Sequence, residues 1–165
     1  MHPKIETIQT ILRTSTREMP SIRVPEAGKW SASEILEHLS LTYSRTAQAL
    51  EDILARGQPL ATRPTLKQRV AALMVVECGH FPKGAKAPAI VQPSGVQDAL
   101  TLEVVMQQLA RMDAAITACE ERFGSVALID HPILGPLNAR KWRRFHLVHA
   151  RDHAPQLERL WSARA

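Results

Sequence analysis

Apolar residues recur at helical spacing along four long segments, and this periodicity constrains the fold more than any other feature of the sequence. A repeat of about 3.6 residues places apolar side chains on one face, as an amphipathic helix requires. The pattern predicts helices over residues 4–18, 31–56, 96–123 and 138–161, with a shorter helix over 65–77. Strand-like alternation is not evident, so the expected class is all-α: a four-helix bundle with a crossover connection and a short extra helix.

Local signals mark where two of these helices begin. The string S-A-S-E at 31–34 has the form of a capping box, in which the Ser31 hydroxyl and the Glu34 carboxylate satisfy each other's free backbone N–H groups. Asn138 is a residue type suited to cap the last helix. These signals predict that the second helix starts at Ser31 and the fourth near Asn138.

Proline marks the connections between the predicted helices. Pro20 and Pro25 bracket a stretch that cannot continue the first helix. Three more prolines lie in the segment 79–95, which we expect to be an extended crossover. His80 lies in this crossover, where solvent exposure is expected and a place in a lid over a site is the alternative.

Composition is that of an ordinary globular chain. Of the 165 residues, 45% are hydrophobic and 22% are charged, which argues against disordered and fibrous classes and predicts one domain over 1–165. No stretch reaches the roughly 18 apolar residues of a membrane span, and the first residues lack an apolar signal-peptide centre, so we expect a cytoplasmic protein. Cys78 and Cys119 form no C-x-x-C pair, which argues against a disulfide framework or a thiolate zinc site.

The formal net charge of +5 is concentrated at the C-terminal end. A solvated helix face is the favoured interpretation, and binding to nucleic acid is the alternative. We expect no specific nucleic-acid partner, because the chain has few aromatic residues and no recognisable nucleic-acid-binding motif. After residue 139 the acidic residues are Asp152 and Glu158. The basic residues there are more numerous: Arg140, Lys141, Arg143, Arg144, Arg151, Arg159 and Arg164.

The fourth predicted helix has a polar seam where a bundle helix is normally apolar. Positions at alternating spacings of four and three residues fall on one face of a helix, and the residues in the middle of this face are polar. Each polar side chain buried there without a partner would cost about 1 to 3 kcal/mol, so polar groups, water or an ion must satisfy the set. The seam consists of Trp142, His146, His149, His153, Gln156 and Leu160.

Two histidines of this seam have the spacing of a helical ligand pair. His149 and His153 are four residues apart, so both imidazoles can point at one ion. His146 and His149 form a competing pair at a spacing of three. About 10 Å of helical rise separates His146 from His153, so one ion cannot easily take all three. We favour the pair 149/153, with His146 lining a pocket or supporting the ligands.

Two strings resemble the DinB-like (DinB/YfiT) superfamily. GKWSASEILEHLSLTY, at 28–43, is similar to the family's second-helix signature, in which a Trp-Ser pair precedes a histidine ligand that corresponds to His38. HPILGPLNARKWRRFHLVHARDHAPQL, at 131–157, resembles the last helix, where two histidines four apart and a glutamine correspond to His149, His153 and Gln156. The resemblance spans nearly the whole chain.

The resemblance implies a four-helix bundle, commonly a homodimer, with a metal site formed by His38, His149 and His153 below a pocket for a small-molecule substrate. The superfamily is associated with metal-dependent hydrolases and with transferases that use low-molecular-weight thiols. Three neutral imidazoles suit Zn, Ni or Fe(II) and leave a position for water or substrate. Such a metal would lower the pKa of a bound water or thiol. The alternative is a non-catalytic, stress-associated protein that only binds metal.

Other residues carry open alternatives. Glu34 is most simply the capping partner of Ser31; its alternative role is catalytic, as a general base, or as an acceptor for an imidazole N–H. Pro155 should disturb the last helix, which could move Gln156 away from the site. His131 is expected in a structural turn, with a pocket-lining role as the alternative. Trp30 and Trp142 are interpreted as core residues that anchor helix starts.

Overall fold

Four long helices dominate the computed structural model, which describes residues 1–16, 28–82, 84, 86–94 and 102–162. The helices are α1 (Pro3–Ser15), α2 (Ala32–Arg56), α3 (Leu66–Ala72), α4 (Leu102–Phe123) and α5 (Ala139–Ser162). A π-helical turn, Leu73–Glu77, continues α3, and a 3-10 turn, Ala89–Val91, lies in the predicted crossover. Two short strands, β1 (Ile129–His131) and β2 (Gly135–Leu137), precede α5.

The capping signals lie where the sequence predicts them. The Glu34 N–H donates to the Ser31 hydroxyl at 3.2 Å, and the Ser31 N–H donates to the Glu34 carboxylate at 2.8 Å, which closes the capping box of α2. The N–H of Lys141 donates to the Asn138 side chain at the start of α5. The predicted loop around Pro20 and Pro25 and the predicted start of the third helix at 96 lie outside the described residues.

The helices pack around a contiguous apolar core. α2 packs most extensively against α4, and α1 against α5, and α2 also contacts α5. Buried side chains of all four long helices belong to one hydrophobic cluster, for example Ile8, Leu39, Leu109 and Leu157. None of the helices in the described part of the chain has the length and apolar content needed to cross a lipid bilayer.

The hairpin before α5 corrects the all-α prediction. β1 and β2 pair antiparallel, with Ile129 opposite Leu137 and His131 opposite Gly135. Gly135 has a φ of +70°, a conformation that glycine adopts without a steric penalty. Each strand has three residues, too few for alternation to stand out in the sequence.

One basic residue of α5, Arg143, is buried, whereas Arg140, Arg151 and Arg159 of the same helix are exposed. Arg143 is 2% exposed and pairs with Asp113 and Glu120 of α4. Arg140 pairs with Glu77, and the Arg144 guanidinium donates to the carbonyl of Val76. The expectation of a simple solvated face is therefore wrong for Arg143, because α4 supplies two carboxylates that neutralise it.

Candidate metal centre

Three buried histidines from α2 and α5 converge at one point. The Nε2 atoms of His38 and His149 are 3.0 Å apart, and those of His149 and His153 are 3.1 Å apart. All three side chains are less than 9% exposed, and each offers one ring nitrogen within 4.8 Å of the others. The structure thus brings together the three residues that the sequence nominates as ligands.

The tautomer of His38 follows from its hydrogen bond. Its Nδ1 lies 2.7 Å from the carbonyl oxygen of Val91. A carbonyl can only accept, so Nδ1 carries the proton and a neutral His38 presents the bare lone pair of Nε2 to His149. Backbone carbonyls commonly orient metal-binding histidines in this way.

Burial keeps these imidazoles neutral. Burial lowers the pKa of His38, against the opposing effect of the Val91 carbonyl. The pKa of His149 is well below its usual value, chiefly through burial and then through the charges of His153 and His38. Burial and the charge of His38 lower the pKa of His153 to about 4. At neutral pH the three rings are therefore uncharged and have lone pairs available for an ion.

The donor set fits a divalent transition metal. Unprotonated imidazole nitrogens about 3 Å apart repel one another unless a proton or a cation lies between them. Separations of 3.0 and 3.1 Å suit neighbouring ligands that each lie about 2.0 to 2.1 Å from one ion. Nitrogen ligands favour zinc, nickel or iron over calcium or magnesium.

Aromatic rings surround the three histidines. Trp30 lies 4.8 Å from the ring of His38 and stacks at 6.3 Å on His153. Phe81 and Phe145 both stack on His149 at 5.5 Å. Such apolar walls limit the access of water and lower the local dielectric, which strengthens electrostatic interactions at the site.

None of these three aromatic residues was predicted at the site. Trp30 lies beside the histidines in addition to packing at the start of α2. The crossover reaches the site through Phe81, whereas its neighbour His80 is exposed, as expected. The only sequence signals were the position of Trp30 next to the capping box and the suggestion that the crossover covers a site.

Glu34 is occupied by the capping box. Its carboxylate accepts the Ser31 N–H, and the three-histidine group contains no carboxylate among the described residues. The structure therefore shows Glu34 in its capping role, and its catalytic role stays a prediction.

Gln156 lies near His153 although Pro155 precedes it. α5 continues through Pro155 to Ser162. The Gln156 side chain opposes the lowering of the His153 pKa, but its amide nitrogen donates to the carbonyl and the carboxylate of Asp152. The Nδ1 atom of His153 has no partner with hydrogen-bond geometry. Gln156 is thus adjacent to the site, but its amide group is hydrogen-bonded to Asp152.

His146 and His131 both pack against Phe145, outside the group of three histidines. His146 is fully buried, with its ring 5.4 Å from Tyr43 and stacked at 5.7 Å on Trp142. His131 is part of β1, not of a turn, and its Nδ1 accepts the N–H groups of Ile133 and Leu134. Neither residue belongs to the group of three converging ring nitrogens.

Part of the polar seam remains without hydrogen bonds. Both ring nitrogens of His146, the indole nitrogen of Trp142 and the hydroxyl of Tyr43 are buried and have no partner among the described residues. That polar groups, water or an ion satisfy these atoms stays a prediction, since a buried polar group without a partner costs about 1 to 3 kcal/mol. Ring packing between these side chains offsets part of that cost.

Comparison with known proteins finds one relative and one family that match most of the chain. Uncharacterized protein YuaE of Bacillus subtilis (strain 168) is 29% identical over 149 residues, covering 82% of this chain and 80% of that protein. No solved structure matches the chain. Residues 5–160 match the family described as "Protein of unknown function (DUF1569)". This match includes all three converging histidines, and the chain belongs to the DUF1569 family.

Proposed function

We propose that this chain is a metal-dependent enzyme of the DinB/YfiT type, either a hydrolase or a transferase that uses a low-molecular-weight thiol. The observation that carries this proposal is the convergence of three neutral imidazole nitrogens in a buried, aromatic-walled site. His38, His149 and His153 would hold zinc, nickel or iron. A metal held there would supply Lewis-acid chemistry and lower the pKa of a water or thiol that reaches it.

The surrounding side chains would bind and shield a small-molecule substrate. Trp30 and Phe81 are partly buried and flank the histidines, so they can contact an apolar part of such a molecule. The burial of Arg143 against α4 and the hydrogen bond from Arg144 to the Val76 carbonyl leave fewer basic groups for a nucleic acid, which supports a small-molecule substrate.

The second candidate is a non-catalytic metal-binding protein. It is favoured by the absence of a carboxylate from the three-histidine group in the described part of the chain. General acid–base catalysis usually requires a group within hydrogen-bond reach of the reacting atom. Turnover of ester, amide or thiol-conjugate substrates that His153→Ala abolishes would support the enzyme, and metal binding without turnover would support the alternative.

Elemental analysis of protein purified without added metal or a metal-affinity tag tests the shared premise. We expect about one transition-metal ion per chain, because three ligands from two helices form one site. His38→Ala and His149→Ala should each lower the metal content at least tenfold.

The exposed histidine gives a matched control for this measurement. His80→Ala removes an imidazole that lies on the surface and should leave the metal content unchanged. Circular dichroism checks that each variant remains helical. Full metal content in His38→Ala would contradict the three-histidine site and, with it, the proposed function.

A further inference from the structure

We propose that Glu37 is a positioning residue for the metal centre: by holding Ser94, it keeps the Val91 carbonyl on the Nδ1–H of His38. The lone pair of Nε2 is thereby aimed at the point where the three histidines meet. This inference rests on the proposed function, because a metal must use that lone pair. It assigns a role to a carboxylate and to a crossover segment outside the ligand set.

The segment 86–94 contains a 3-10 turn that places Val91 against α2. Its 3-10 turn is closed by the Val91 N–H, which donates to the Pro88 carbonyl at 3.0 Å, and the Gln92 side chain donates to the Ala87 carbonyl at 3.1 Å. The turn packs against α2, and Val91 is 9% exposed. The segment therefore has a defined internal shape but depends on α2 for its position.

Two adjacent residues of α2 hold this segment at two points. The Nδ1–H of His38 donates to the Val91 carbonyl. The backbone N–H and the hydroxyl of Ser94 both donate to one carboxylate oxygen of Glu37, at 2.9 and 2.6 Å. Hydrogen bonds to an ionised carboxylate are stronger than neutral ones, so the two bonds from Ser94 to Glu37 give the segment a second attachment beside the buried His38–Val91 bond. Loss of this attachment would free the end of the segment three residues from Val91.

His38 is also the ligand for which this support matters most. The Nδ1 atoms of His149 and His153 are buried without a hydrogen-bond partner in the described part of the chain. Both lie on α5, whose helical spacing fixes their separation. His38 comes from another helix, so its ring orientation and tautomer depend on Val91. Groups that orient a ligand in this way typically affect metal affinity about 10- to 100-fold.

The tautomer of His38 can be measured by long-range ¹H–¹⁵N NMR spectroscopy of the full chain after treatment with a chelator. The wild-type ring should carry its proton on Nδ1. In Glu37→Ala the proton should partly move to Nε2, and affinity for Zn²⁺, measured by chelator competition, should fall about tenfold. Glu37→Gln keeps an acceptor oxygen and should retain most of the wild-type tautomer and affinity.

Glu51→Ala is the matched control. Glu51 is also a carboxylate of α2, but it bonds to Arg111, away from the segment 86–94. Ser94→Ala removes the 2.6 Å bond from the other side and should give an intermediate effect, which also provides a test if Glu37→Ala does not fold.

A wild-type tautomer and Zn²⁺ affinity in Glu37→Ala and Ser94→Ala, equal to those of Glu51→Ala, would overturn the positioning role. A wild-type protein that binds no Zn²⁺ would overturn the proposed function instead. In that case the His38 tautomer of the metal-free variants still decides whether Glu37 positions the ring.

Discussion

At the scale of single residues, burial determines the protonation state of the histidines in the interior. Water stabilises a charged imidazolium, and its removal favours the neutral ring. For the three converging histidines this means that a metal does not have to displace protons at neutral pH. The same burial makes the folded protein sensitive to acid, since the unfolded chain can take up protons that the folded one excludes.

His146 gives the clearest case of this sensitivity. Burial, followed by the charge of His131, lowers its pKa in the folded protein to about 3. In the unfolded chain its pKa is about 6.5. Between these values the unfolded chain binds the additional proton, so the free energy of unfolding decreases as the pH falls through this range. We expect His146 alone to remove about 2 kcal/mol of stability between pH 7 and pH 5.

Urea unfolding at pH 7 and pH 5 in the presence of a chelator measures this effect. His146→Leu cannot titrate, so its stability should decline less with acidification by about 2 kcal/mol. His80→Leu, at an exposed position, should show the wild-type pH dependence. Equal slopes in wild type and His146→Leu would show that this ring does not stay neutral in the folded protein.

At the scale of elements, capping residues at both ends of α2 determine where this helix begins and ends. The capping box at Ser31 satisfies backbone donors at its start, and Gly57, with a φ of +76°, ends it. The helix supplies His38 to the candidate metal centre, and its Glu37 accepts hydrogen bonds from Ser94 of the crossover. A change at the start of α2 therefore acts on the element that holds both groups.

Ser31→Ala should lower the free energy of unfolding by about 1 kcal/mol, because it leaves the N–H of Glu34 without its side-chain acceptor. Ser44→Ala, within the same helix, should change stability by less than about 0.5 kcal/mol, since alanine has the higher helix propensity. Denaturant unfolding of both variants measures the difference. Equal stability of the two variants would contradict the capping contribution.

At the scale of the whole molecule, the oligomeric state remains a proposal from the resemblance to the DinB/YfiT superfamily, which implies a homodimer. Sedimentation equilibrium should give about twice the chain mass of 18.4 kDa. Its dependence on protein concentration would give the dissociation constant. A mass equal to that of one chain at all accessible concentrations would contradict the dimer.

How much of the molecule the sequence predicts depends on how far apart the interacting residues are. Helical periodicity and capping predict α2 and α5 closely, because these signals act within a few residues. The spacing of His149 and His153 is also a local signal, because the two residues are four positions apart in one helix. The hairpin β1–β2 was missed because three-residue strands carry too little pattern.

The sequence alone therefore determined α2 and α5, the residues that cap their starts, and the spacing of His149 and His153. The tertiary structure decided that His38 joins this pair from 111 residues away, that the Val91 carbonyl fixes its tautomer, and that Arg143 is buried against α4. Helical spacing acts through the backbone of one segment, whereas these contacts depend on how separate segments pack. In the sequence, only the resemblance of two distant strings to one family indicated that His38 belongs to the site.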